Sequence, residues 1–437
     1  MIESSSFNKN RHSRHTIRAL DILDGEISRS NAVHQSLLEN QSQALRTITD
    51  IRNFSASNNH AIHIRELLFS KEHLEEFATG SIAKCFGPEY KVLDQRKSPR
   101  IPNGLLLLID RVTEISGERQ NLNPPASITT EFDIKDNAWF IQESNYPGIP
   151  LSILMEIALQ PCGILSAYLG TSLVIPAENN LFRNLDGNIK FYSTPDLRGK
   201  TVTNKAELIK TISSGGLYIQ EFRFELSVSG STFLAGESSF GYFTQGVMDK
   251  QSGLDLAEKR LKITGRQGFP EDYISLNSEA LLSLGESQTG RHLDLTDHIW
   301  LSKDGGRSGQ GVVIGQKSLK GNEWFFKNHF YQDPVMPGSL GIEAIAQGLW
   351  AIAADKTRGS WSDYTLVDFA CEEPVRWKYR GQVTPENRNM YFEVHIKERS
   401  KSVSFVELKA DADFWVGDVR IYSVENISMR FKENRAR

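Results

Sequence analysis

The chain has few cysteines and almost no net charge. Its 437 residues contain three cysteines, Cys85, Cys162 and Cys371, with no CxxC spacing between them. This pattern argues against a disulfide framework or a structural zinc site, and it favours a reducing, cytoplasmic environment. The 50 Lys and Arg residues nearly balance the 54 Asp and Glu residues. The sequence therefore lacks the broad basic surface of a general nucleic-acid-binding protein.

Long apolar runs are also missing. No segment reaches the roughly 20 apolar residues that cross a bilayer as a helix. The amino-terminal sequence MIESSSFNKNRHSRH has no hydrophobic core of a signal peptide. We therefore expect a soluble cytoplasmic protein without a membrane span, and its hydrophobic content of 39% is typical of a packed globular chain.

The first 60 residues differ in composition from the rest, because they are rich in Asn, Gln, Ser and His and contain no proline. Ile17, Leu20 and Leu23 recur at helical spacing, which predicts a helical amino-terminal leader. A partly disordered leader is the alternative. After this leader we place a first unit at residues 61–250, a polar connector at 251–290 and a second unit at 291–437.

The two units contain the same motifs in the same order. Each has a Trp-Phe pair, a proline-rich turn and an apolar segment of helical length that carries a Glu and a Gln. Glu156 and Gln160 in the first copy have the same spacing as Glu343 and Gln347 in the second. The repeat indicates that one structural unit occurs twice.

Alternating apolar and polar residues follow each apolar segment, in FRFELSV (222–228) and in VELKADADF (406–414). This period of two indicates half-buried antiparallel strands. A helix that is apolar nearly all round must be buried, and the apolar face of such a sheet needs a cover. The pattern predicts an α+β fold of two units, each a long central helix followed by a strand-rich meander that wraps around it.

The histidines distinguish the two copies. His329 directly precedes the proline-rich turn of the second copy, whereas no histidine lies between His73 and His292. The first-copy loop from Trp139 to Pro150 spans 150 − 139 = 11 positions, and the second-copy loop from Trp324 to Pro337 spans 337 − 324 = 13. The first copy therefore cannot supply an imidazole from its own core.

The segment HFYQDPVMPGSLG, at residues 329–341, resembles the active-site motif of β-hydroxyacyl-acyl-carrier-protein dehydratases of the hotdog fold, especially the hydroxydecanoyl dehydratase/isomerase branch. Segments 68–90, 154–170, 181–187 and 196–204 are similar to the dehydratase regions of polyunsaturated fatty acid synthases and related lipid megasynthases. The resemblance covers about residues 60–437, and it implies a double hotdog fold.

The resemblance also implies a role for each candidate site residue. His329 would abstract the proton at C2 of a 3-hydroxyacyl thioester, and an acid from the facing unit would help the 3-hydroxyl to leave as water. By position this acid is Glu156, and the amide of Gly338 would polarise the thioester carbonyl. Glu343 would face the loop without histidine, as the acid of a vestigial second site. The pairing of His329 with Glu156 rather than Glu343 assumes that the two copies of one chain face each other.

The residue types suit this chemistry. An imidazole near its free pKa of about 6.5 is a competent base at neutral pH. A carboxyl on an apolar helix has a raised pKa, which favours the protonated acid. The isomerase branch has Asp on the helix whereas both copies here have Glu, so isomerisation of the double bond stays open. No metal or other cofactor is implied.

The predicted function is dehydration of 3-hydroxyacyl chains to trans-2-enoyl thioesters in lipid synthesis. The expected partner is an acyl-carrier protein with a phosphopantetheine arm, alone or with other megasynthase domains, and the chain is expected to be a monomeric double hotdog or a homodimer. One alternative is a hotdog acyl thioesterase, which would release free thiol. The other is a non-catalytic hotdog scaffold that binds acyl-carrier protein.

Overall fold

The computed structural model describes residues 67–144, 148–175, 179–214, 217–254, 274–277, 292–353, 364–369, 373–402 and 405–433. The expected leader, most of the expected connector and Cys371 lie outside these residues, so the connector limits stay predictions. Cys85 and Cys162 are buried and free.

Two long helices, α5 (Leu151–Tyr168) and α9 (Gly338–Ala353), lie at the centres of the two copies. They are the apolar segments that carry Glu156 and Glu343. The remaining helices are short: α1 Lys71–Thr79, α2 Ile82–Phe86, α3 Lys91–Asp94, α4 Trp139–Gln142, α6 Thr171–Val174, α7 Gln245–Met248 and α8 Trp324–Asn328, with 3₁₀ turns at Pro88–Tyr90 and Gly104–Leu106.

The strands of the described residues form one continuous antiparallel sheet. They are β1 Arg111–Ser116, β2 Ala126–Ile134, β3 Leu181–Phe191, β4 Lys200–Ser214, β5 Leu217–Val228, β6 Ser231–Phe243, β7 Ile274–Asn277, β8 His298–Ser302, β9 Val312–Ser318, β10 Tyr364–Asp368, β11 Val375–Tyr379, β12 Asn389–Lys401, β13 Val406–Val416 and β14 Val419–Glu433.

The strand order shows that the two copies share one topology. The copies meet where β3 pairs with β11. Outward from this pair, the first copy runs β3-β6-β5-β4-β2-β1 and the second runs β11-β14-β13-β12-β9-β8. Each central helix packs against the sheet of its own copy. The expected double hotdog of class α+β is therefore confirmed.

The sequence pattern suggested that each unit begins with its central helix, but in the structure two strands come before it. Strands β1 and β2 precede α5, and β8 and β9 precede α9. The inward face of β2 includes Thr130 beside Ile128, and both side chains are buried. Because a threonine takes an apolar position, the contrast between the two faces of the strand is weak in the sequence.

The strands that the alternation predicted are confirmed. Segment 222–228 lies in β5, with Phe222, Phe224 and Leu226 buried in the core. Segment 406–414 lies in β13. Apolar burial on this face is the main stabilising contribution of such a sheet.

Helix α5 contains a proline in its interior. Pro161 has no N–H, so the carbonyl of Ile157 loses its partner within the helix. The Asn204 side chain on β4 donates to this carbonyl at 2.7 Å and to the carbonyl of Ala158 at 2.9 Å. Asn204 is buried. The sheet thus supplies the hydrogen bond that the proline removes.

By length and composition alone, α5 is apolar enough to cross a membrane. The length of the uninterrupted apolar runs in the sequence did not indicate this. In the folded protein, 78% of this helix is buried. Such burial is typical of a core helix, because the surrounding sheet covers its apolar exterior.

The substitution Asn204→Ala should lower the free energy of unfolding by about 1–3 kcal/mol, because it leaves a buried carbonyl without a donor. Chemical denaturation followed by circular dichroism measures this change. Thr203→Ala, on the opposite face of the same strand, is the matched control. Equal effects of the two substitutions would contradict the role given to Asn204.

Candidate active site

A cavity of about 120 Å³ is lined by side chains from both copies. The second copy contributes His329, Gly338 and Tyr379, and the first contributes Glu156. Three of the residues singled out from the sequence therefore meet at one place, although they are far apart in the chain.

His329 follows the last turn of α8, where its backbone N–H donates to the carbonyl of Phe325 at 2.9 Å. Its Nδ1 lies 2.9 Å from the carbonyl oxygen of Val335. A carbonyl only accepts, so Nδ1 carries the proton and Nε2 has the free lone pair. The ring of Phe330 stacks on the imidazole, with centroids 3.8 Å apart. This is the tautomer and orientation that a base at Nε2 requires.

Burial lowers the pKa of His329 to about 3, while the hydrogen bond to Val335 offsets part of this effect. The charge of Arg183 lowers the pKa further, and that of Asp333 raises it. The expectation of an imidazole near its free pKa was therefore wrong, because the sequence did not show how strongly the ring is desolvated. At neutral pH the ring is uncharged and free to accept a proton, but it holds that proton weakly.

Glu156 lies on the inward face of α5 and is 7% exposed. Its Oε1 accepts from Ser339 Oγ at 2.7 Å, and its Oε2 accepts from Gln160 Nε2 at 2.9 Å. Gln160 is held in turn by the carbonyl of Leu106, at 2.7 Å. Burial raises the pKa of Glu156, and the two hydrogen bonds oppose this shift. The net direction favours a protonated carboxyl.

Glu343 occupies the equivalent position on α9 but has different surroundings. It is 1% exposed, and its Oε2 accepts from the backbone N–H of Ser152 at 3.1 Å. Among the described residues that line the cavity of His329, Glu156 is present and Glu343 is not. The structure thus brings the acid of the first copy to the imidazole of the second.

A larger cavity, of about 450 Å³, lies at the corresponding loop of the first copy. Gly148 and Ile149 of that loop line it, together with Leu197 and Phe191. The described residues around it include no histidine. This cavity therefore offers no counterpart of His329 from the part of the chain that the structure describes.

The first copy also holds the segment that ends in His329. The N–H of Asn103 donates to the carbonyl of Asn328 at 2.7 Å, and the N–H of Leu105 donates to Asn328 Oδ1 at 3.2 Å. Between them, Gly104 has φ +54°, and a Cβ there would lie 2.3 Å from Asn328 Oδ1. The close approach requires glycine at this position.

An ion pair across the copies holds the turn after His329. Arg183 on β3 binds Asp333 through two hydrogen bonds of 2.6 and 2.9 Å, and Lys97 Nζ lies 3.6 Å from the same carboxylate. The guanidinium also lies 6.0 Å from the ring centre of Phe330, which stacks on His329. Sequence reasoning missed Arg183, although it lies in the segment 181–187 that carries the family resemblance.

Gly338 is the first residue of α9, so its N–H has no carbonyl partner within the helix. The ring of Tyr379 packs against it, and a Cβ at Gly338 would lie 2.6 Å from that ring. The Tyr379 hydroxyl is buried without a hydrogen-bond partner among the described residues, and burial raises its pKa well above the usual value. Sequence reasoning also missed Tyr379. The similar segments DLRG (196–199) and KYRG (378–381) could have indicated it, because the first has Leu197 where the second has Tyr379.

The arrangement combines a neutral imidazole, a carboxyl that favours its protonated form and a helix-terminal amide. These groups suit general acid–base chemistry at a carbon and an oxygen of one substrate. Within the described residues, no group of three or more His, Cys, Asp or Glu side chains is placed to hold a metal ion.

Residues 289–425 match the family model of the FabA-like domain. This region of the chain is therefore similar to FabA-like domains. The matched region includes His329, its proline-rich turn and the whole of α9. The chain as a whole is similar to one of the subunits of the polyunsaturated fatty acid synthase of Thraustochytrium sp., with 34% identity over 385 residues. The match covers 82% of this chain but only 26% of that relative.

Two solved structures match this chain at low identity and low TM-score. The dehydratase domain from the CurJ module of curacin polyketide synthase has 12% identity and a TM-score of 0.41, and the match covers 74% of this chain and 96% of that domain. A Lactobacillus plantarum protein described as an oleoyl thioesterase has 12% identity and a TM-score of 0.41, covering 71% of this chain and 98% of that protein. At these values neither structure decides between a dehydratase and a thioesterase.

His329 should remain uncharged and protonated on Nδ1 between about pH 8 and pH 5, because its pKa is lowered to about 3. Nitrogen-15 NMR of histidine-labelled protein measures both the tautomer and the titration, with His329→Gln to assign the signal. A titration midpoint near the free imidazole value would contradict the burial of this ring.

Proposed function

We propose that this chain dehydrates 3-hydroxyacyl thioesters, carried on an acyl-carrier protein, to trans-2-enoyl thioesters. The observation that carries the proposal is that His329 and Glu156, from different copies, line one cavity together with Gly338. The similarity to part of a polyunsaturated fatty acid synthase supports the same reaction class. The activity is that of a hydro-lyase.

In the proposed reaction, the substrate carbonyl accepts a hydrogen bond from the N–H of Gly338, which makes the protons at C2 more acidic. Nε2 of His329 takes one of these protons. As the bond between C3 and its oxygen breaks, the carboxyl of Glu156 gives its proton to the leaving hydroxyl, which departs as water. The electron pair of the C2–H bond becomes the C2–C3 double bond.

The coupling of the two proton transfers explains how a weakly basic imidazole can act as the base at C2. Together they convert neutral His329 and protonated Glu156 into an imidazolium and a carboxylate. Opposite charges attract more strongly among buried side chains than they do in water. Ionisation of Glu156 therefore raises the affinity of His329 for the proton while the C2–H bond breaks. Return of that proton from His329 to Glu156 resets the site.

One chain supplies both groups of the proposed site. A second chain is therefore not needed to complete it, which suits a monomeric double hotdog and leaves a homodimer compatible. The proposed partner is an acyl-carrier protein whose phosphopantetheine arm presents the acyl chain, alone or among further synthase domains. A cytoplasmic location is part of the proposal, and the free thiols of Cys85 and Cys162 support it.

The variants His329→Ala and Glu156→Gln should each lower kcat/KM for a 3-hydroxyacyl thioester by about 10²–10⁴-fold, the range for loss of a positioned proton-transfer group. Glu343→Gln is the matched control, because its amide oxygen still accepts from the Ser152 N–H and the residue lies outside the His329 cavity. Enoyl absorbance and the mass loss of water measure the reaction, and circular dichroism measures the fold.

Three results would contradict this assignment. If Glu343→Gln lost as much activity as Glu156→Gln, the assignment of the acid role to Glu156 rather than Glu343 would be wrong. Release of free thiol without loss of water would indicate a thioesterase. If the wild-type protein removed no water from either carrier-bound or small-thiol substrates, the alternative of a non-catalytic scaffold would be favoured.

The pH profile should respond to Ser339. Since the reaction uses protonated Glu156, kcat/KM should fall as the pH rises through the raised pKa of this carboxyl. Ser339→Ala removes a hydrogen bond that lowers this pKa, so the alkaline limb of the profile should move to higher pH. Ser152→Ala keeps the backbone N–H that binds Glu343, and the profile should stay where it is. A shift to lower pH in Ser339→Ala would exclude Glu156 as the group that titrates.

A further inference from the structure

The two central helices differ in how completely they are enclosed. On α9, every residue from Ser339 to Ala353 is buried. On α5, Leu159, Gly163 and Ala167 are partly exposed. These three residues are four positions apart, so they lie on one face of the helix.

This face of α5 lines the same cavity as Glu156 and His329. From Glu156 to Ala167 the helix extends about 16 Å, at 1.5 Å per residue. We call Leu159, Gly163 and Ala167 the α5 stripe. It leads away from the reacting groups along the interior of the first copy.

The walls opposite the α5 stripe are aromatic and aliphatic. Phe182 and Phe240 are stacked there with ring centroids 4.9 Å apart. Phe77 and Ile82 close the cavity from helices α1 and α2. Such a lining makes the binding of a hydrocarbon chain favourable, because it buries the apolar surface of the chain.

The second copy fills the equivalent space with a side chain. Glu156 and Glu343 are 343 − 156 = 187 positions apart, and the same offset relates Gly163 to Trp350. Trp350 is 7% exposed, and its ring packs on Phe431 with centroids 5.2 Å apart. In the first copy, Gly163 has no side chain where the other copy has an indole, and an added Cβ would be in ordinary contact, 3.7 Å from both Ile101 and Phe182.

We propose that the α5 stripe holds the acyl chain of the substrate and that the missing side chain at Gly163 sets the chain length accepted. The inference rests on the proposed dehydratase function and deepens it by naming the substrate class, 3-hydroxyacyl thioesters with a chain longer than butanoyl. Because the whole cavity is about 120 Å³, one larger side chain at Gly163 fills a substantial part of it.

The test compares 3-hydroxyoctanoyl with 3-hydroxybutanoyl thioesters on the same carrier. In Gly163→Leu, the ratio of kcat/KM for octanoyl to that for butanoyl should fall at least about tenfold, since two or more methylenes lose their burial. Gly163→Ala should change the ratio less, because its Cβ meets ordinary contacts. Gly246→Leu is the matched control, at a helical glycine whose added Cβ would meet nothing within 4 Å.

A second measurement separates this inference from the proposed function. Calorimetry compares the binding of unreactive octanoyl and butanoyl pantetheine thioethers to the wild type and to Gly163→Leu. If the wild type dehydrates nothing, the proposed function fails, while a selective loss of octanoyl binding in the variant still supports the acyl site. An unchanged ratio and unchanged binding in a folded Gly163→Leu protein, or equal losses for both chain lengths, would overturn it. If Gly163→Leu does not fold, Ala167→Leu tests the same face.

Discussion

The contact between the two central helices is the constraint on which the rest of the structure depends. Both helices are too apolar to face water, so each must be covered by its own sheet and by the other helix. Where they meet, each amino-terminal turn binds the glutamate of the partner helix, through Ser339 to Glu156 and through Ser152 to Glu343. The helix contact that forms the core therefore also brings the acid of one copy to the loop of the other.

The two contacts join equivalent residues, but Ser339 donates through its hydroxyl and Ser152 through its backbone N–H, and the surrounding side chains also differ. Gly338, which opens α9, corresponds to Leu151 by the repeat offset of 187 positions. The second copy thus combines a histidine, an accessible helix amide and a phenol at one end of the contact. The first copy supplies the carboxyl and, at Gly163, the space. Division of these tasks between two copies lets one chain build a site from parts that no single copy contains.

Much of the fold was predictable from the residues, because burial imposes periodicity. The alternation in 222–228 and 406–414 identified strands, and the continuous apolar segment after each proline-rich turn identified a helix. Strands such as β2 escaped prediction because a buried Thr130 weakens the pattern. For the candidate site, the motif around His329 and the repeat identified His329, Glu156 and Gly338. Arg183 and Tyr379 were missed, since their importance lies in what they contact and no local pattern records it.

The sequence by itself determined that one unit occurs twice, that the only imidazole in a turn before a central helix belongs to the second copy, and that two glutamates were available as acids. These facts depend on residue type and spacing along the chain. Only the tertiary structure decided which glutamate shares a cavity with His329 and that Gly163 on α5 lines the same cavity. It also decided that desolvation lowers the pKa of the His329 ring to about 3. The physical reason is that solvation and electrostatics at a residue depend on every neighbour in space, and residues 187 positions apart, such as Glu156 and Glu343, acquire different neighbours only when the chain folds.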